Sequence, residues 1–212
     1  MNKKWLAVVA AMAVAASSVG CQEKGNASLV VVGTTVMGFG APTYLVIPDG
    51  VTVINNRAFE GCTTLRDVSI PDGVTDINNR AFCGCTSLTS VNIPDSVTAI
   101  GRFAFSGCKS LESVTVPRYV TYISYAAFRG CTSLTDVTIA NGVRIIGEGA
   151  FKGCKSLENV AVPRTVTEIG NGAFAGCKNL KIQYDDTKSQ WNEIQGDKPK
   201  VTVQCTDGDI TN

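Results

Sequence analysis

The sequence is organised by one pentad, Ala-Phe-x-Gly-Cys, which recurs six times at a constant interval of 23 residues. The pentads begin at Ala58, Ala81, Ala104, Ala127, Ala150 and Ala173. One complete unit runs P-x-x-V-x-x-I-x-x-x-A-F-x-G-C-x-x-L-x-x-V-x-[IV], and only Ala140 interrupts the proline column. A constant period of this length is typical of a solenoid, in which stacked units share one apolar core.

The spacing inside one unit predicts two short strands and a turn. Val68 and Ile70 alternate with polar residues, which is the period-two pattern of a strand with one buried face. The proline that follows cannot donate a ladder hydrogen bond and ends the strand. A second extended segment then reaches Ile77, and Ala81-Phe82 is predicted to form one helical turn. Because a single unit buries too few side chains to fold alone, the units must stack.

The repeat closely resembles the BspA-type leucine-rich repeat, a bacterial class, over about residues 42–181. Its LxxVxI segment matches the LxxLxL strand signature of that superfamily. The predicted fold is α/β: a leucine-rich-repeat solenoid of short parallel β-strands in a right-handed superhelix, with single helical turns at AFxGC and a small C-terminal cap. The resemblance also implies a bacterial surface protein used in adhesion to host matrix proteins, host cells or other microbes.

The chain divides into five predicted segments. They are a signal peptide at 1–20, a tether at 21–26, an N-terminal cap at 27–47, leucine-rich repeats at 48–181 and a C-terminal cap at 182–212. In the first cap, the apolar run 29–32 predicts a strand, followed by a turn and an irregular return. In the second, the segment around Trp191 predicts a helix and residues 201–203 a strand, as in the caps of BspA-type arrays. End coils need caps because they lack a neighbour on one side.

The first 20 residues have the layout of a secretory signal. Lys3 and Lys4 precede an apolar run at 5–16 and a small-residue end. The closing V-G-C resembles the end of a bacterial lipoprotein signal, in which Cys21 is lipidated and becomes the new N-terminus. Ser18 stands where that signal usually has leucine, so cleavage after Ser18 with Cys21 left as a thiol is the alternative. A lipid on Cys21 is the membrane contact that we predict.

Composition limits the function classes. Histidine is absent from the chain, which removes Ser-His-Asp and Cys-His catalysis and histidine metal sites. The formal net charge of +1 does not indicate the strongly basic surface that is typical of nucleic-acid binding. We therefore expect no enzyme, no metal and no cofactor, and a partner that is a protein, such as a host matrix or cell-surface protein, or a glycan. A structural or scaffold role in the cell envelope is the alternative to adhesin-like binding.

Nine cysteines in an exported chain would ordinarily indicate disulfides. Six of them occupy one column with parallel Cβ vectors, which a disulfide torsion of about 90° would strain. We therefore predict a ladder of buried, unpaired thiols: Cys62, Cys85, Cys108, Cys131, Cys154 and Cys177. Cys83 and Cys205 lie off this column. The phenylalanines of the pentads are predicted to stack in the core rather than to form a binding stripe.

The candidate binding site lies at positions that are free to vary. Six residues form a predicted ligand-binding patch: Phe103, Tyr119, Tyr122, Tyr125, Arg102 and Arg118. The four aromatic residues occupy columns that hold mainly Gly, Ser, Asn, Ala or charged residues elsewhere. Such a composition is typical of interaction hot spots, and the spacing places Phe103 beside Tyr125. In the alternative interpretation, the rings only pack on one another between coils.

Overall fold

A computed structural model describes residues 30–32, 35–38 and 43–211. The predicted signal peptide, the tether and Cys21 lie outside these described residues. The predicted solenoid of stacked parallel strands is confirmed, since residues 23 positions apart lie side by side in successive coils. Val68 pairs with Val91, for example, and Val114 with Val137.

The strands are short because each must fit one side of a coil. In chain order the first nine are β1 (Val30–Val32), β2 (Thr35–Gly38), β3 (Tyr44–Val46), β4 (Val53–Ile54), β5 (Asp67–Ser69), β6 (Asp76–Ile77), β7 (Ser90–Asn92), β8 (Ala99–Ile100) and β9 (Ser113–Val116). The remaining elements are β10 (Tyr122–Ile123), β11 (Asp136–Ile139), β12 (Ile145–Ile146), β13 (Asn159–Val162), β14 (Glu168–Ile169), β15 (Lys181–Tyr184), α1 (Lys188–Glu193), β16 (Gln195–Gly196), β17 (Thr202–Cys205) and β18 (Gly208–Ile210).

Two walls of strands enclose the core. One wall is a nine-stranded sheet in the order β1-β2-β4-β6-β8-β10-β12-β14-β16. The other consists of a three-stranded sheet, β3-β5-β7, and a six-stranded sheet, β18-β17-β15-β13-β11-β9. The pairings are parallel except for β1 with β2 and β17 with β18, which are antiparallel. The irregular return predicted after β1 is therefore wrong, because the chain returns as strand β2.

The AFxGC pentads form hydrogen-bonded turns in place of the predicted helical turn. The Ala81 N–H donates to the Asn78 carbonyl at 3.2 Å, and the Cys85 N–H donates to the Phe82 carbonyl at 3.2 Å. Each bond spans three residues, which is tighter than the four-residue span of an α-helix. The glycine between Phe and Cys has a positive φ in every pentad, 75° at Gly84, so the tight turn requires glycine there.

The phenylalanine column stacks through the core, as predicted. Ring centroids of neighbouring coils lie 5.1–5.5 Å apart with interplanar angles of 2–15°. Such offset parallel contacts are favourable between aromatic rings. The stack runs through Phe59, Phe82, Phe105, Phe128, Phe151 and Phe174.

The cysteine column follows the prediction except at its first member. Cys85, Cys108, Cys131, Cys154 and Cys177 are buried and free, whereas Cys62 is disulfide-bonded. The prediction of six unpaired thiols is therefore wrong for Cys62. Each later thiol donates to a phenylalanine carbonyl of the preceding coil, as Cys108 does to Phe82 at 3.3 Å. No AFxGC pentad precedes the coil of Cys62 to supply such an acceptor.

The C-terminal residues continue both walls and then cover the end of the core. The predicted helix and strand are present as α1 and β17. Thr187 caps α1 by accepting a hydrogen bond from the Gln190 N–H, 3.3 Å away. On that helix Trp191 is only 2% exposed, and its ring meets Tyr184 edge to face with centroids 5.2 Å apart. A large apolar side chain therefore covers the last coil.

Candidate functional site

The backbone just before each pentad is left-handed, which determines how the predicted patch is presented. This column has φ of 58° at Phe103 and 52° at Ala126, and the corresponding glycines of two later coils, Gly149 and Gly172, have 60° and 58°. A left-handed conformation costs a non-glycine residue roughly 1–2 kcal/mol. Phe103 is thus held in a strained conformation that Arg57 and Arg80 share and that two later coils adopt with glycine.

Phe103 and Tyr125, called here the packed pair, contact each other between coils. Their centroids are 5.2 Å apart at 77°, and both residues are half-buried. The contact predicted between them is therefore present. Guanidinium groups lie over both rings, with Arg80 4.8 Å from the centroid of Phe103 and Arg102 5.1 Å from that of Tyr125. Each is a cation–π contact between neighbouring coils.

Tyr119 lies at the corner that follows the proline of its coil. Its side chain is exposed, and the guanidinium carbon of Arg118 is 5.1 Å from the ring centroid. Arg118 also forms an ion pair with Asp95 at 3.0 Å. In the same column Ser96 uses its hydroxyl to bond the Val74 carbonyl of the preceding coil at 2.8 Å. Tyrosine replaces this internal contact with a projecting ring.

Tyr122 lies on β10 and is also exposed, so Tyr119 and Tyr122 are called the exposed pair. Its phenol covers the glycine of the next coil: a methyl group on Gly147 would lie 2.9 Å from the Tyr122 hydroxyl oxygen. Gly147 therefore provides the space that the Tyr122 ring requires.

The structure divides the predicted patch into two parts. Within residues 43–211, the ring contacts join Phe103 to Tyr125 but join neither of these to Tyr119 or Tyr122. Arg102 belongs with the packed pair and Arg118 with the exposed pair. Sequence reasoning missed Arg80 and Asp95, although each lies 23 residues before a patch member, namely Phe103 and Arg118. That spacing was the signal that could have identified them.

The chemistry available to the described residues is that of binding. Among residues 43–211, no group of three or more acidic or cysteine side chains could hold a metal ion. Burial raises the pKa of the half-buried Cys83 thiol, and the charge of Glu60 raises it further. A raised pKa keeps this thiol protonated and weakly nucleophilic at neutral pH.

A second surface feature is a shallow groove of about 600 Å³ near the C-terminal end of the other wall. It is lined by Thr138, Ala161, Gln183, Tyr184, Gln204 and Cys205, among others. Burial raises the pKa of the Tyr184 phenol, with a further contribution from Asp186. The groove therefore presents uncharged hydrogen-bonding groups together with the carboxyl group of Asp185.

Comparison with known proteins connects this architecture to a family. The model of the BspA-type leucine-rich repeat region matches six copies over residues 41–139. A solved leucine-rich repeat protein of T. pallidum is 33% identical over 77% of this chain and 86% of its own, with a TM-score of 0.67. The chain belongs to the BspA-type leucine-rich-repeat family. No curated protein sequence matches it.

Two further solved members of the leucine-rich-repeat fold are more distant. One from Bacteroides ovatus is 24% identical, with a TM-score of 0.65, over 87% of this chain and 57% of that one. One from Eubacterium ventriosum is also 24% identical, with a TM-score of 0.67, over 84% and 51%. The BspA-type repeats thus make this chain a repeat protein of the protein-interaction type. None of the helices in its described part has the length and apolar character needed to cross a bilayer.

Proposed function

We propose that this chain is an adhesive binding protein on the outside of a bacterial cell, and that it holds a protein partner through the exposed pair. A solenoid offers an extended surface on which a partner can be bound. The signal peptide and the Cys21 lipid predicted from the sequence support display at the cell surface. Membership of the BspA-type family supports the binding role.

The observation that carries the proposal is the exposure of two tyrosines on one coil. Tyr119 is 56% exposed and Tyr122 is 44% exposed. The equivalent positions of other coils hold smaller or charged residues, such as Gly142 and Glu168. Tyrosine combines a large contact area with a polar hydroxyl, and it is enriched among the residues that dominate binding energy.

Both rings already contact neighbouring groups of the chain. Arg118 covers Tyr119 and is itself held by Asp95, while the hydroxyl of Tyr122 lies against Gly147. Side chains that are ordered before binding lose less conformational entropy when a partner arrives. The coil therefore offers a preformed anchor for an aromatic or amphipathic protein surface.

The decisive experiment compares one double variant and two single variants of the purified mature protein. Binding to immobilised host matrix proteins and bacterial surface proteins is measured by surface plasmon resonance. Tyr119→Ser with Tyr122→Ser should weaken binding at least fivefold, or about 1 kcal/mol, because hot-spot tyrosines contribute at least this much. The melting temperature should move little, because exposed side chains contribute little to folding.

Tyr44→Ser is the matched control. Tyr44 is 60% exposed, but it lies on β3 in the other wall and more than three repeats before Tyr119, so its loss should leave binding unchanged. Tyr125→Ser should lower the melting temperature, because that ring packs between coils. Unchanged binding by the Tyr119/Tyr122 variant would contradict the proposal.

A further inference from the structure

Charge is distributed unevenly around the coils, although the whole chain is nearly neutral. In the C-terminal half of the array, five cationic residues project from the turn edge, at or just after the pentads. They are Lys109, Arg129, Lys152, Lys155 and Lys178, called here the basic edge. All five are exposed. The position after the corner proline is by contrast aspartate in the early coils, at Asp49, Asp72 and Asp95.

The repeat places these five cations in two columns on the same side of the coils. Arg129 and Lys152 follow the phenylalanines of neighbouring coils, whose rings are 5.4 Å apart. The Gly130 N–H also donates to the Lys152 carbonyl at 2.9 Å, which ties the two coils together at this point. Lys155 and Lys178 share another column, one coil apart. Neighbouring coils within a column are about one strand spacing apart, ~4.8 Å, so the basic edge is a strip of positive charge that runs along the solenoid.

These cations are not neutralised by neighbouring carboxylates. The ion pairs found within residues 43–211 involve Arg57, Arg80, Arg118 and Arg164, and none involves the basic edge. Glu112, Glu148 and Glu158 flank the edge but do not pair with it. Five unpaired charges on one edge of the solenoid create a field that attracts an extended anion.

We infer that the basic edge binds a linear sulfated polysaccharide, laid along the solenoid axis. Such a chain carries anionic groups on successive sugars, so its charges can meet cations on successive coils. Binding would gain free energy by releasing the small counterions that each partner holds in solution. This site lies on other residues than the exposed pair and does not depend on the function proposed above.

The surroundings of the basic edge favour a polysaccharide over other polyanions. The residues between the cations are small and polar, including Ser110, Thr132 and Ser156. The exposed large hydrophobic residues of the described chain, Tyr44, Val46, Tyr119 and Tyr122, are not among the residues of this edge. It therefore lacks the apolar groups that insert into a lipid surface and the aromatic platform on which single-stranded nucleic acid stacks.

The test measures heparin binding by the purified mature protein at several salt concentrations. We expect Lys152→Gln with Lys155→Gln to weaken heparin binding about tenfold near physiological salt, because two of the five cations of the basic edge are then absent. The slope of log Kd against log salt should fall by about two in that variant. Hyaluronan, which carries no sulfate, should bind far more weakly than heparin.

The matched control is Arg144→Gln with Lys200→Gln. It removes the same charge from exposed positions off the basic edge and should leave heparin binding within twofold of the original protein. Equal losses in the two variants, or equal binding of hyaluronan and heparin, would overturn the inference. Tighter binding to single-stranded DNA or to phosphatidylserine vesicles than to heparin would also overturn it, by showing that the edge serves another class of partner.

Discussion

The thiol of Cys85 donates a hydrogen bond to the carbonyl oxygen of Phe59 in the preceding coil, with 3.1 Å between sulfur and oxygen. The same bond recurs in each later coil, for example from Cys154 to Phe128 at 3.2 Å. The Phe59 carbonyl also accepts the Cys62 N–H at 3.1 Å, so the thiol of the next coil is a second, weak donor that is small enough for this dry site. Cysteine therefore joins neighbouring coils as well as filling the core.

These buried thiols predict a loss of stability at alkaline pH. Burial raises the pKa of Cys85 to about 12, with smaller effects from the Cys62 backbone and Cys83. Because an unfolded thiol ionises at about pH 8.5, the folded chain binds more protons than the unfolded chain between about pH 9 and 12. The free energy of unfolding should then fall by up to about 1.4 kcal/mol per pH unit for each such thiol. Urea unfolding at pH 8, 9.5 and 11 measures this fall in the free energy of unfolding.

The Cys85→Ala variant isolates this effect. It should be less stable at pH 8, because it loses volume and a donor, but its stability should fall less steeply above pH 9. Val74→Ala removes apolar volume from the same core without removing a thiol, and it should keep the original pH dependence. If the free energy of unfolding falls with pH equally steeply in the original chain and in Cys85→Ala, this thiol does not contribute to the pH dependence.

Two neighbouring glycines should differ sharply when each is changed to alanine. Gly149 has φ of 60°, and a methyl group there meets nothing closer than the Lys152 Cβ at 3.8 Å. Gly149→Ala should therefore cost only the left-handed backbone, about 1 kcal/mol, which Ala126 already tolerates. At Gly147, by contrast, a methyl group would overlap the Ile123 carbonyl oxygen and the Tyr122 ring.

Gly147→Ala should thus lower the free energy of unfolding several times more than Gly149→Ala, by on the order of 3 kcal/mol or above, because the backbone would have to shift. Thermal unfolding of both variants measures the difference. The two variants also test the exposed pair. Gly147→Ala should displace Tyr122 and weaken partner binding, whereas Gly149→Ala should leave binding unchanged. Similar melting temperatures for the two variants would be evidence against this packing.

Much of the fold could be predicted from the period alone. A constant step of 23 residues identifies which residues share a column, and parallel pairing then follows, as for Val68 with Val91. The period does not specify the direction of a side chain around the coil. That Tyr119 projects while Tyr125 packs depends on local backbone and on partners such as Asp95 and Phe103. The disulfide bond of Cys62 was missed because the repeat spacing describes only contacts between repeat units.

The C-terminal segment should behave as a cap whose main contribution is one indole ring. Trp191 is buried against Tyr184 at the end of the core, so Trp191→Ala should lower the free energy of unfolding by about 3–5 kcal/mol. Gln190→Ala, on the exposed side of α1, should change it by less than about 0.5 kcal/mol. Denaturant unfolding compares the two, and a small loss for Trp191→Ala would contradict a capping role.

The N-terminus of the mature protein tests the predicted lipid on Cys21. Lipidation predicts partition into detergent and an N-terminal peptide whose mass carries acyl chains, since two or more chains give stable anchoring where one does not. Cys21 is the one cysteine outside the described residues, and the seven described cysteines other than Cys62 are free. A peptide linking Cys21 to Cys62 would therefore contradict lipidation, because a sulfur bonded to Cys62 cannot carry a lipid. Mass spectrometry of the unreduced digest distinguishes these two products directly.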